Sequence, residues 1–132
     1  PSGRAELSWV LDASALLAFL HGERGGDLVE RELEHAVISS VNWSEVLYTS
    51  LSHGVNVDGL REDLEALGLS IEPFTVEDAE RAAMLRPQAR PLGLSLGDRA
   101  CLALALRLGL PVLTADRVWQ KLELGLRIEV IR

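Results

Sequence analysis

The chain has 132 residues, the length of one domain, and 48% of them are hydrophobic, an ordinary share for a globular protein. Thirteen Lys and Arg residues against twenty Asp and Glu residues give a formal net charge of −7. This balance argues against a protein that binds nucleic acid through a simple basic surface, but not against one that works through bound cations. The single cysteine excludes an intrachain disulfide and a zinc site built on several cysteines.

No apolar run approaches the length of a membrane span, and no signal peptide opens the chain, which begins Pro1-Ser2-Gly3 without a methionine. The cysteine content suits a reducing compartment. We therefore expect a cytoplasmic protein with no membrane partner.

In the first half of the chain, short apolar runs alternate with helix-like runs. In chain order, the predicted elements are a strand ending at Asp12, a helix over about 14–22, an acidic helix over about 27–34, a strand over 37–40, a helix over about 42–53 with Val46, Leu47 and Leu51 on its apolar face, and a helix over about 58–67. Glycines are predicted to separate these helices from the next elements, at Gly25-Gly26, Gly54 and Gly68.

The second half continues this alternation. Its predicted elements are a strand over 70–74, placed at an edge by Pro73; a helix opened by the capping box at 75–78 and ending near 86–87; an Arg-, Pro- and Gly-rich loop over 86–95; a helix over 95–108; a strand over 111–114; a short helical turn over 117–122; and a strand over 127–131. Strands alternating with helices predict an α/β fold with a mainly parallel sheet covered on both faces.

Four acids lie at the boundaries of these elements. Asp12 ends the first strand, Glu45 and Asp98 lie in the first turns of predicted helices, and Asp116 follows the strand at 111–114. In a parallel sheet, the ends of strands and the starts of the following helices share one edge, so the four carboxylates can converge there. Such a cluster suits a hard cation, Mg²⁺ or Mn²⁺, and without one its members would repel.

Helix capping is the competing explanation of each acid. Asp12 and Asp116 can each begin a helix or a turn, and the pairs Asn42/Glu45 and Ser95/Asp98 match the capping box. Taken singly, each acid is better explained as a cap. The two roles are compatible, and the order of the whole set is what favours a metal site.

That ordered set resembles the PIN-domain family, and within it the VapC-like ribonuclease toxins of bacterial and archaeal toxin–antitoxin pairs. The resemblance is carried by the segments 10–18, 41–46, 94–105 and 112–116 and extends over nearly the whole chain. It implies a single PIN domain over residues 1–132, a three-layer α/β/α sandwich and a homodimer.

The resemblance also implies a Mg²⁺- or Mn²⁺-dependent endoribonuclease in which a metal-activated water hydrolyses RNA. Residues of this chain match the family's metal-binding acids and its two nearby hydroxyl positions: Asp12, Glu45, Asp98, Asp116, Ser14 and Thr114. It further implies a cognate antitoxin that covers helices near the site. Trp43, Tyr48 and the segment 16–20 are candidate apolar contacts for that partner.

Four arginines near the acids are candidate contacts for RNA phosphates: Arg86, Arg90, Arg99 and Arg117. The alternative for each is an ordinary solvated arginine. Cys101 lies in the apolar run of a predicted helix and is interpreted as a core residue. The three histidines lie away from the acid motifs and are interpreted as surface or core residues: His21, His35 and His53.

Two other functions stay open. One is a stand-alone PIN-like RNA-processing nuclease with no antitoxin. The other is a non-catalytic doubly wound binding module, of which three features disfavour the common versions. A phosphate-receiver domain would have a lysine at the end of a late strand, but Lys121 follows the Asp116 turn. A haloacid-type phosphatase would have a second Asp where Ser14 stands, and a nucleotide binder would have a glycine-rich loop after the first strand, which is absent.

Overall fold

A five-stranded parallel sheet organises the computed structural model, which describes residues 7–132. In chain order, the strands are β1 (Val10–Leu11), β2 (Val37–Ser39), β3 (Ser70–Glu72), β4 (Val112–Thr114) and β5 (Ile128–Val130). Their order across the sheet is β3-β2-β1-β4-β5, and every neighbouring pair is parallel. The first residues of the chain, where we predicted no signal peptide, lie outside the described residues.

Helices occupy the connections between these strands. In chain order, they are α1 (Ala13–Leu20), α2 (Gly26–Glu32), α3 (Ser40–Ser52), α4 (Leu60–Ala66), α5 (Val76–Met84), α6 (Arg86–Ala89) and α7 (Leu96–Leu108), with 3₁₀ turns at Arg90–Leu92 and Arg117–Lys121. In the part of the chain that the structure describes, no helix is both long and apolar enough to cross a membrane.

The strands separate two hydrophobic cores because successive side chains of a strand point to opposite faces. Leu11, Ile38 and Leu113 pack against helices α1 to α4, and Val10 and Val112 pack against α7. Both residues of β1 are fully buried, as expected of a central parallel strand. The predicted three-layer α/β/α sandwich with a parallel sheet is confirmed.

A buried ion pair joins α5 to α7 in the second layer. The Asp78 carboxylate, only 1% exposed, accepts hydrogen bonds of 2.8 and 3.1 Å from the Arg107 guanidinium. Asp78 also closes the predicted capping box with Thr75, which is confirmed. Burial opposes ionisation of Asp78, but these hydrogen bonds outweigh it and hold the pKa of its carboxyl below the usual value.

The predicted loop over 86–95 is wrong in its first part. Residues 86–92 form α6 and a 3₁₀ turn, each with a proline in its first turn, Pro87 and Pro91. Proline is tolerated there because the backbone N–H groups of a first turn have no intrahelical acceptor. A proline-rich segment therefore forms two short helical turns instead of an irregular loop.

The predicted start of α3 is also wrong. The helix begins at Ser40, and the Ser39 side chain caps it by accepting from the Val41 N–H at 3.2 Å. Asn42 is consequently inside the helix, and Glu45 lies in its second turn instead of its first. Val46 packs in the core as predicted, but Leu51 is 58% exposed and does not belong to the apolar face.

Candidate functional site

Asp12 is held where β1 ends and α1 begins. Its carboxylate caps α1 by accepting from the Ala15 N–H at 2.9 Å. The Ser14 hydroxyl donates to it at 2.7 Å, and the Thr114 hydroxyl donates at 2.6 Å. Because β1 and β4 are neighbours in the sheet, these residues meet although Thr114 lies 102 positions later in the chain. The structure thus brings both predicted supporting hydroxyls onto Asp12, which is only 4% exposed.

The same hydroxyls connect Asp12 to the end of β4. The Ser14 oxygen accepts from the Ala115 N–H at 2.9 Å, and the Thr114 oxygen accepts from the Asp116 N–H at 3.0 Å. The Asp116 carboxylate accepts from the Val118 N–H at 3.0 Å and begins the 3₁₀ turn. Asp116 therefore lies at the solvent-exposed side of this network.

Asp98 lies at the start of α7, where it closes the predicted capping box. Its carboxylate accepts from the Ser95 N–H at 2.9 Å, and its own N–H donates to the Ser95 hydroxyl at 3.1 Å. The capping explanation is thus confirmed for Asp12, Asp98 and Asp116. For the pair Asn42/Glu45 it is wrong, because α3 begins two residues before Asn42.

Asn42 instead makes side-chain contacts that we did not predict from the sequence. Its side-chain NH₂ donates to Glu45 Oε1 and to the Gly97 carbonyl, both at 2.9 Å, and so ties α3 to the start of α7. Glu45 is packed so closely on Gly97 that a Cβ there would overlap the carboxylate. The i, i+3 spacing of Asn42 and Glu45 puts both on one helix face, so their contact could have been predicted from the sequence. The contact of both residues with Gly97 could not, because Gly97 belongs to a different helix.

The acids influence one another electrostatically. Burial, with a contribution from the charge of Asp98, raises the pKa of Asp12 to about 6, although hydrogen bonds from Thr114, Ser14 and Ala15 oppose the change. Burial and then Asp98 raise the pKa of Glu45, and burial and then Asp116 raise that of Asp98. The charge of Asp98 thus acts on Asp12 and Glu45, the charge of Asp116 acts on Asp98, and nearby positive charge would favour the ionised forms of Asp12, Glu45 and Asp98.

The donor chemistry of these residues fits a hard divalent cation, because carboxylate oxygens are the ligands that Mg²⁺ and Mn²⁺ prefer. Over residues 7–132, no three Asp, Glu, His or Cys side chains lie close enough together to ligate one ion as they stand. Mg²⁺ usually keeps several waters and takes only one or two protein carboxylates directly. A water-rich site in which some of the four acids act through those waters is compatible with this spacing.

Three of the four candidate arginines lie together. Arg86, Arg90 and Arg99 line one cavity of about 350 Å³ between α5, α6 and the start of α7. Arg117 is not part of this cavity, and its Nε donates to the Arg132 carbonyl at 3.1 Å. The structure thus divides the predicted set into a group of three and a separate residue.

Cys101 is fully buried in the core layer that contains α7, as predicted. Burial, followed by the charges of nearby carboxylates, raises the pKa of its thiol well above the usual value, so the thiol is not activated. The histidines are also as predicted: His21 and His53 pack edge to face with ring centroids 5.9 Å apart, and His35 lies 3.5 Å from the Glu34 carboxylate.

The candidate partner contacts differ in exposure. Tyr48 is 77% exposed, whereas Trp43 is half-buried against the core. Leu16 and Ala18 are fully buried in the core and cannot be contacts for a partner, so the prediction is wrong for these two residues. Leu17, Phe19 and Leu20 remain partly accessible at the core boundary.

Comparisons with known proteins agree with this architecture. The model of the PIN domain family matches residues 9–124. A toxin–antitoxin complex from Klebsiella pneumoniae contains a chain with 21% identity and a TM-score of 0.75, over 95% of this chain and 98% of that one. A DNA-bound VapBC complex from Salmonella typhimurium gives 19% identity and a TM-score of 0.71, over 96% and 99% of the two chains. PAE2754 from Pyrobaculum aerophilum gives 19% identity and a TM-score of 0.60, over 96% and 87%. No curated protein matches the sequence.

Proposed function

Because this chain belongs to the PIN domain family, a family of nucleases, we propose that it is a Mg²⁺- or Mn²⁺-dependent endoribonuclease that acts as the toxin of a toxin–antitoxin pair. The observation that carries the proposal is the hydrogen bonding at the edge of the sheet where β1 and β4 end: Thr114 donates to Asp12, and Asn42 ties Glu45 to the start of α7, where Asp98 lies. This edge is where α/β proteins bind their ligands. The reaction is hydrolysis of an RNA phosphodiester by water, and we take residues 1–132 to act as one PIN domain.

Asp12, Glu45, Asp98 and Asp116 would hold the cation, which when bound supplies an activated water and neutralises charge on the transition state. The surrounding residues pre-organise these acids. Ser14 and Thr114 orient the Asp12 carboxylate, since each donates a hydrogen bond to it. These contacts reduce the reorganisation needed when the reacting phosphate arrives.

Glu45 and Asp98 are oriented by different means. Asn42 holds Glu45 against the start of α7, and the capping box with Ser95 fixes the Asp98 carboxylate. Both acids therefore depend on how α7 begins. The proposed chemistry needs no covalent nucleophile from the protein, in agreement with the buried, unactivated thiol of Cys101.

A protein antitoxin is the proposed partner, and a homodimer the proposed assembly. Several solved structures with this fold are complexes of a toxin with an antitoxin. The exposed ring of Tyr48, next to Glu45 in one shallow pocket, is an apolar contact at which such a partner would also cover the acids. Expression of the chain alone is expected to stop growth, and co-expression of the gene's neighbour to restore it. Harmless expression of an active enzyme would favour the stand-alone RNA-processing nuclease.

Cleavage of a total-RNA pool tests the proposal directly. The purified protein is incubated with EDTA, with Mg²⁺ or with Mn²⁺, beside Asp12→Asn and Asp98→Asn. The matched control is Glu62→Gln, which removes an exposed charge on α4. We expect metal-dependent cleavage that both Asn variants lose and the control keeps. Cleavage that persists in both Asn variants would contradict the assignment of the site.

A further inference from the structure

The cavity beside the acid cluster has an unusual lining for an acidic protein. About 350 Å³ of space lies between α5, α6 and the start of α7, bordered by Ala83, Arg86, Ala89, Arg90, Leu94 and Arg99. This volume is at the lower end of the roughly 300–1,000 Å³ of typical ligand pockets. Three guanidinium-bearing side chains thus share one small cavity with an apolar wall, in a chain whose net charge is −7.

Within residues 7–132, none of these three arginines has a carboxylate oxygen within ion-pairing distance. The structure pairs four other arginines with acids: Arg61, Arg107, Arg127 and Arg132. Arg99 is held in place differently, because its guanidinium donates to the Ala82 carbonyl at 3.3 Å. Positive charge collected in a cavity without an internal anion is suited to an external one.

The cavity is next to the proposed site of hydrolysis. Arg99 follows Asp98 in the first turns of α7, and its charge acts on the Asp98 carboxylate. Arg86 and Arg90 approach from the short helical turns that precede α7. A strand of RNA whose scissile phosphate lies at the acids would therefore place a neighbouring phosphate within reach of these arginines.

We propose that Arg86, Arg90 and Arg99 form a subsite for one nucleotide of the RNA substrate adjacent to the bond that is cut. The planar guanidinium groups bind a single non-scissile phosphate, for which their fork geometry is suited, and Ala83, Ala89 and Leu94 contact the attached ribose or base. Arg117 does not belong to this subsite. This inference rests on the proposed function, which supplies RNA as the ligand, but it does not require that the protein cleaves that RNA.

Binding of RNA without cleavage tests the subsite. Fluorescence anisotropy in EDTA follows a short, labelled, random-sequence single-stranded RNA as it binds the full chain over a series of salt concentrations. The variants are Arg86→Ala, Arg90→Ala, Arg99→Ala and the triple variant, with Arg31→Ala as the matched control because it removes an exposed arginine of α2 outside the cavity. Circular dichroism confirms that each variant is folded.

We expect each pocket variant to weaken RNA binding about tenfold, as for loss of one charged hydrogen bond. The fold-loss of RNA affinity in the triple variant is expected to be smaller than the product of the three single fold-losses, because all three arginines bind the same phosphate. The triple variant's slope of log K against log salt should fall by about 0.7, the value for one phosphate of a single strand. Arg31→Ala should leave affinity within about twofold of the parent protein.

Three results would overturn the subsite: no binding by the parent protein, unchanged affinity of the triple variant, or an equal loss in Arg31→Ala. Unchanged RNA affinity together with weaker binding of an acidic peptide would assign the cavity to a protein partner instead. Failure of the nuclease proposal gives a different pattern, in which the arginine variants lose RNA affinity but RNA is not cut with any metal. The two proposals can therefore fail independently.

Discussion

Gly97 of α7 and the carboxylate of Glu45 of α3 pack in direct contact. A Cβ at Gly97 would overlap both Glu45 carboxylate oxygens, and the Asn42 side chain bonds to the Gly97 carbonyl and to Glu45 at once. Gly97 does not have a left-handed backbone conformation, so it is the close approach of Glu45 that favours glycine at this position. The start of α7 thus helps to place two acids of the cluster, Asp98 directly and Glu45 through this contact.

Gly97→Ala is expected to damage the site more than the fold. The added methyl group displaces the Glu45 carboxylate, which is the end of a flexible side chain and can move at little cost. Alanine favours a helix over glycine by about 1 kcal/mol, which offsets part of the strain. We expect at least a tenfold loss of RNA cleavage and a change in unfolding free energy within about 1 kcal/mol.

Urea unfolding measures the stability and cleavage rates measure the activity. The control is Leu96→Ala, a substitution of the exposed neighbouring residue. Full activity of Gly97→Ala would show that the position of Glu45 is unimportant.

Asp12→Asn should change how the metal-free protein responds to pH. Because the pKa of Asp12 is raised to about 6 in the folded state, its ionisation opposes folding, and stability is lost as pH rises from about 4 through 6. Asparagine cannot ionise. In EDTA, the stability of Asp12→Asn relative to the parent protein should therefore improve by about 2–3 kcal/mol between pH 4 and pH 8.

Denaturant unfolding at several pH values measures this effect, with the exposed Asp58→Asn as control. Saturating Mn²⁺ at pH 8 is expected to stabilise the parent protein and to reduce the advantage of Asp12→Asn, since a cation favours the ionised carboxylate. A stability difference that is independent of pH would show that folding does not raise the pKa of Asp12.

Asp78→Asn should have the opposite pH dependence. The pKa of Asp78 is lowered in the folded state, so its contribution is present above the unfolded pKa of about 3.9 and is lost as pH falls through the folded value. At pH 7, we expect a loss of about 2–3 kcal/mol, which includes the uncompensated, partly buried Arg107 charge. The loss should shrink below pH 4. Thermal unfolding compares this variant with Glu80→Gln, an exposed change on the same helix, which should show no such trend.

Thr114→Val and Thr114→Ser separate the hydroxyl from the shape of the side chain. Valine removes the donor to Asp12 and the acceptor of the Asp116 N–H, and leaves a similar volume. We expect Thr114→Val to cost about 1–3 kcal/mol of stability and to reduce cleavage at least tenfold. Thr114→Ser keeps both hydrogen bonds and should retain most activity. Equal cleavage by both variants would contradict the proposed role of the hydroxyl.

Features that depend on neighbouring residues could be predicted from the sequence. The capping boxes of Thr75 with Asp78 and of Ser95 with Asp98 each span four residues, and the alternation of apolar runs with helical runs indicated the parallel sheet. The start of α3 was predicted wrongly for a local reason: Ser39, Ser40 and Asn42 are all good helix caps, and it is Ser39 that caps the helix in the structure.

Which distant residues meet depended on the tertiary structure. The pairing of β1 with β4 brings Thr114 onto Asp12 across 102 positions, and the packing of α3 on α7 brings Glu45 to Gly97. Likewise, the arrangement of α5, α6 and α7 collects Arg86, Arg90 and Arg99 and leaves Arg117 outside. Local signals extend over about one helical turn because they act through hydrogen bonds between near neighbours. Contacts between elements depend on how whole faces pack, which no short segment encodes.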